Sequence, residues 1–119
     1  MCKTIGGNRV ELLTITEKGA TPAELSKRKG VILTARIHPG ESNSSYVMKG
    51  IIEFLTTEDN IEASALRRNF IFKIIPMINV DGVVYGNYRC SLSGIDLNRS
   101  WKTPNEILFP EVFAIKRLV

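Results

Sequence analysis

Histidine is nearly absent from this 119-residue chain: there is one, His38. Cysteine is scarce as well. Cys2 and Cys90 are too few and too far apart for a disulfide framework or a Cys-x-x-Cys metal pair, and reduced thiols fit a cytoplasmic chain. No apolar run approaches the roughly 20 residues needed to span a bilayer. The first residues, MCKTIGGNRV, lack the apolar core of a signal peptide. There is no internal repeat and no low-complexity tract. The basic clusters Lys27-Arg28-Lys29, Arg67-Arg68 and Lys116-Arg117 contain no interleaved aromatics. They read as solvated helix ends and loops, which makes a nucleic-acid partner a poor fit. The net charge of +4 is compatible with an acidic partner. What is present, 44% hydrophobic and 24% charged residues, is a globular composition long enough for one modest domain.

Patterning then supplies elements. Residues 9–16, RVELLTIT, read as a strand, and 17–30, with Gly19 and Pro22, as a surface loop. Residues 31–37, VILTARI, are almost continuously apolar and β-branched, as in a strand covered on both faces. From Glu41 the period becomes helical, with Met48, Ile51, Ile52 and Leu55 on one stripe. Gly50 within it calls for close packing against a sheet. A second, shorter helix is expected to start at an Asp59 cap, with Arg67 and Arg68 at its end. Residues 70–78, FIFKIIPMI, form another apolar strand that weakens near Pro76. Asp81-Gly82 marks a turn before Val83-Val84-Tyr85, 86–104 a loop, and Pro110 the start of a last helix with Val112, Phe113, Ile115 and Leu118 on its apolar side. This order predicts a layered α/β fold: a partial mixed sheet with flanking helices. The apolar end at Leu118-Val119, without a glycine cap, gives the impression of a larger domain interrupted.

His38 falls where an apolar strand should end, followed by Pro39-Gly40 and then Glu41 at a helix start. Ligands of open α/β sheets bind outside the carboxyl ends of strands. An imidazole and a carboxylate three residues apart over a turn can aim at one point, and both are zinc ligand types. The same residues also fit a plainer role, a hydrogen-bonded strand-end histidine with a glutamate complementing the helix dipole. The loop GNYRCSLSGIDLNRSW crowds Arg89, Asp96, Asn98 and Arg99 together. Arginines there could grip a carboxylate or stabilise an oxyanion, or simply be surface charges.

Taken in order, His-Pro-Gly-Glu after a strand, Asn-x-Asp-Gly, Asn-Tyr-Arg and Asp-Leu-Asn-Arg resemble the zinc metallocarboxypeptidases, and within them the cytosolic carboxypeptidase, tubulin-deglutamylase-like subgroup. The stretches carrying the resemblance are LLTITE at 12–17, ARIHPGESNSSYVMKG at 35–50 and FIFKIIPMINVDGVVYGNYRCSLSGIDLNRSW at 70–101. It implies that His38 and Glu41 bind zinc and that Arg89 polarises the scissile carbonyl. It also implies that Asn98 and Arg99 hold the free C-terminal carboxylate, and that Asp96 orients the His38 ring. Val80 departs from the family's usual proline, which affects loop stiffness; Ser100 departs from the commoner asparagine or glutamine.

The larger departures are absences. The family uses a second zinc-binding histidine and a later glutamate as general base; the chain has no other histidine, and Glu106 and Glu111 follow Asp-Leu-Asn-Arg too closely. The resemblance therefore implies residues 1–119 to be the N-terminal portion of a catalytic domain. Two expectations follow. One is a zinc-dependent carboxypeptidase releasing glutamates from C-terminal tails such as those of polyglutamylated tubulin. The other is that the 119-residue chain alone is inactive, a fragment or a carboxylate-binding remnant.

Overall fold

The computed structural model describes residues 1–119. In chain order it forms β1 (Cys2–Lys3), β2 (Arg9–Val10), β3 (Leu13–Ile15), α1 (Pro22–Leu25), β4 (Lys29–Thr34), α2 (Asn43–Thr56), α3 (Ile61–Asn69), β5 (Phe70–Ile75), α4 (Val80–Val84), a 3-10 turn (Leu97–Arg99) and α5 (Pro110–Leu118). The main sheet is mixed, with order β3-β5-β4. β4 and β5 pair in parallel with Val31 opposite Phe72 and Leu33 opposite Ile74; α2 and α3 form the crossover that parallel strands require. β3 lies antiparallel on the other side of β5. β1 and β2 make a separate small hairpin.

Side-chain alternation divides the apolar residues between two faces. Val31, Leu33, Phe72 and Ile74 pack with Met48, Ile51, Ile52 and Leu55 of α2 and Leu66 of α3. Ile32 and Ile75 face the other way, toward Val10, Ile78, Leu97 and the α5 residues Val112 and Ile115. The helical stripe expected from the sequence thus covers one face. Phe113 is half-buried and carries the Arg117 guanidinium 5.8 Å from its ring centroid.

Several local expectations are corrected. The strand foreseen over 9–16 is two strands in two sheets. The 17–30 loop contains α1, started by a Thr21–Glu24 capping box with Pro22 in the first turn. α3 is capped by Asn60, whose side chain accepts from the Ala63 N–H, one residue beyond Asp59. Asp81-Gly82 is not a hairpin turn but lies inside α4, because the Asn79 side chain accepts from the Gly82 N–H and starts a helix there. Gly50 is exposed with open space around it, so sheet packing does not account for it. Pairing does stop before Pro76.

Candidate functional site

Beyond the sheet, the chain ends of β4 and β5 stay zipped together. Ala35 N–H donates to Ile75 O (3.1 Å), Ile78 N–H to Ala35 O (3.0 Å) and Asn79 N–H to Arg36 O (3.1 Å). The Asn79 amide also donates to Ile37 O at 3.2 Å. His38 therefore emerges from the carboxyl end of a parallel strand with its backbone held on one side by Asn79. The next turn is enclosed as well. A Cβ on Gly82 would overlap the Pro39 ring, and one on Gly40 would overlap the Tyr88 ring. Gly40 N–H donates to Tyr88 O (2.7 Å), and Glu41 N–H closes the turn on His38 O (3.2 Å). The glycines here are required by close approach.

The buried His38 ring lies between two carboxylates. Nδ1 is 3.0 Å from Glu41 Oε1, and Nε2 is 3.0 Å from Asp96 Oδ1. The carboxylates differ in environment. Partial burial works against charge on Asp96, but bonds from His38, the Asn98 N–H and Arg89 outweigh it and hold its carboxyl below the usual range. Asp96 is thus a committed acceptor, with Arg89 Nε at 2.9 Å and Asn98 N at 2.9 Å. Glu41 is half exposed, and its side chain bonds to no group but His38.

A neutral imidazole has one N–H. Given to Asp96, it leaves the Nδ1 lone pair facing a carboxylate oxygen. Either a second proton or a shared cation resolves that confrontation. Neutral imidazole nitrogen and carboxylate oxygen are zinc donors, so His38 and Glu41 fit zinc by donor type and by convergence. They are two donors only. No group of three or more His, Cys, Asp or Glu side chains in the chain stands together so as to hold a metal.

The remaining residues of the loop gather around Asp96. Its side chain caps the 3-10 turn that carries Asn98 and Arg99. Both are exposed; the Asn98 side-chain Oδ1 accepts from Trp101 Nε1 (3.0 Å), and Arg99 makes one long bond, to the Asn98 backbone O (3.4 Å). Arg89 commits Nε to Asp96 and neither terminal nitrogen to any group of the chain. All six residues singled out from the sequence thus lie in one connected patch: Glu41–His38–Asp96–Arg89, with Asn98 and Arg99 on the turn that Asp96 caps. Asn79 and Gly82, which hold the His38 turn, had no assigned role in the sequence reading; an asparagine three residues before a glycine was the available capping signal.

The chain matches the family model described as zinc carboxypeptidase over residues 1–111. It is 49% identical over 119 residues to cytosolic carboxypeptidase 2 of Mus musculus, covering all of this chain and 14% of that protein. It is 52% identical over 120 residues to cytosolic carboxypeptidase 6 of Caenorhabditis elegans, covering all of this chain and 25% of that protein. Among solved structures, a metallo-carboxypeptidase from Burkholderia cenocepacia superimposes with a TM-score of 0.89 at 32% identity, over 98% of this chain and 31% of that one. A Pseudomonas aeruginosa metallo-carboxypeptidase does so with a TM-score of 0.86 at 30% identity, over 98% and 29%. The chain therefore spans only a quarter or less of the two cytosolic relatives. With its mixed sheet, its flanking helices and a family-model match over its residues 1–111, the chain belongs to the zinc carboxypeptidase family.

Proposed function

We propose that residues 1–119 are the N-terminal portion of a catalytic domain and supply the zinc-side wall and the carboxylate clamp of a metallocarboxypeptidase. The observation that carries this reading is the His38 ring fixed at both nitrogens, by Glu41 and by Asp96. His38 Nδ1 and Glu41 are the zinc ligands, and Asp96 holds the ring in the tautomer that leaves Nδ1 free. Zinc, when bound, would supply a Lewis acid and bring the pKa of water toward neutrality. Arg89, anchored through Nε, offers its terminal N–H groups to the carbonyl oxygen of the bond to be cleaved, where negative charge develops. Asn98 and Arg99 bind the terminal carboxylate of the substrate through directed, charge-assisted bonds, which confines cleavage to chain ends.

Glutamates at the C-termini of proteins, with polyglutamylated tubulin as the leading substrate, and a cytoplasmic location are the finer reading. The high identity to proteins named cytosolic carboxypeptidases supports it, as does the net charge of +4. The Pseudomonas relative holds (2-guanidinoethylmercapto)succinic acid, a carboxylate-bearing ligand. A second reading applies to the 119-residue chain on its own. With two protein donors for the metal and no general base assigned, it is an inactive fragment or a carboxylate-binding remnant.

Glutamate-tailed peptides decide between them. The native protein, at the length its source makes, should release glutamate and lose at least 100-fold in rate on His38→Ala. The isolated 119-residue chain should release none. Native protein that holds zinc yet leaves such peptides intact would remove the substrate assignment. Turnover by the isolated chain that is lost on His38→Ala would remove the inactive-fragment reading.

A further inference from the structure

Two residues before His38, Arg36 adopts φ 55°, and no other non-glycine residue of the chain has a positive φ. This left-handed region favours glycine, and an arginine there is strained. Its charge is also poorly placed for local stability. It sits against the first turn of α2, where the helix dipole is positive, and where Ser42 makes no side-chain cap bond. Neither backbone preference nor helix electrostatics accounts for an arginine at 36. Its bonds do. Nε donates to Pro39 O at 2.7 Å and Nη1 to Ser45 Oγ at 2.7 Å. Its backbone N–H donates to Ser44 Oγ (3.2 Å), and that hydroxyl donates to Glu41 O (2.8 Å).

We infer that Arg36 is a positioning residue that sets the spacing of His38 and Glu41. Its planar fork grips the turn between the two ligands at the Pro39 carbonyl, and grips the helix beyond Glu41 at Ser45. The left-handed backbone lets one side chain reach both points, and the backbone N–H reaches Glu41 through Ser44. Lysine, with one point charge, cannot hold both at once in this geometry. The inference rests on the zinc-ligand reading of His38 and Glu41.

The test uses the native protein at its natural length and two readouts: zinc affinity by competition with a chromogenic chelator, and the melting temperature without metal. Arg36→Gly removes the fork and relieves the backbone. It should weaken zinc binding by about tenfold or more while leaving the metal-free melting temperature unchanged or raised. Arg36→Lys and Ser45→Ala should each lose several-fold. A residue needed only for folding would lower the melting temperature with the affinity. Arg36→Gly binding zinc within twofold of wild type overturns the inference, as does a loss of affinity that merely follows a lower melting temperature. Should Arg36→Gly fail to fold, Ser45→Ala decides: wild-type zinc affinity overturns the inference, and a several-fold loss with an unchanged melting temperature supports it. If His38→Ala binds zinc as well as wild type, the ligand reading itself fails, and this inference falls with it.

Discussion

Three buried or half-buried carboxylates show how partners decide chemistry at the scale of one residue. Asp96 is bonded to His38, Asn98 and Arg89, which keeps it charged. Asp81 accepts from the Thr4 hydroxyl, the Gly6 N–H and the Asn8 amide, and so ties the N-terminal hairpin to α4. Glu111 is equally buried, but its Oε2 has no partner. Burial raises its pKa, its own backbone N–H pulls the other way, and the charge of Asp81 adds to the rise. The folded state thus favours neutral Glu111 over the ordinary glutamate, which titrates near about 4.3. A raised acid contributes stability in full below the unfolded value and loses it as pH climbs through the folded one. Glu111→Gln should therefore be more stable than wild type at pH 7, by about 1 kcal/mol, and equal to it at pH 4. Urea unfolding of the native protein at its natural length, at the two pH values, checks this. A difference that does not change with pH would assign the effect to packing and not to charge.

At the scale of elements, strong periodicity was readable and short capped segments were not. β4, α2, β5 and α5 have apolar patterns long enough to declare themselves. The helix α4 has five residues, two of them Asp81 and Gly82, which read as a turn by composition. It forms because Asn79 caps it and because Gly82 lets Pro39 approach, and both causes lie partly outside the segment. The same applies to α1, set by one capping box, and to the β1–β2 hairpin, whose anchor is Asp81 more than 70 positions away. Asn79→Ala should lower stability by about 1–2 kcal/mol through loss of the cap. Gly82→Ala should lower it by more, about 2–3 kcal/mol, since the new methyl meets both Pro39 and the Asn79 side chain. Denaturant midpoints of the two variants give the order, and Gly82→Ala as the milder change would show that α4 can shift away from the His38 turn at little expense.

At the scale of the whole molecule, the candidate site residues stand out in the sequence for a different reason than the fold. Helical and strand periods place His38 at a strand end and Glu41 at a helix start. Only the resemblance ties them to Asp96, because no local pattern links residues 58 positions apart. Arg36 was invisible to both, since its role depends on a backbone angle that composition does not report. The global dimensions lead to the last prediction. The radius of gyration is 15.6 Å, whereas a compact domain of this length has about 13.5 Å. The accessible surface is 7350 Å² against about 6450 Å² for a folded monomer of this mass. Tyr46, Val47, Ile61 and Ile107 are each more than 60% exposed, and no strand pairs with the outer edge of β4. Open sheet edges and exposed apolar side chains favour association. The isolated 119-residue chain should bind an apolar dye and grow in light-scattering mass between about 1 and 100 μM, with a broad melt. A concentration-independent monomer of 13.3 kDa with a sharp cooperative melt would show instead that two small cores, one on each face of a three-stranded sheet, suffice to hold this chain closed.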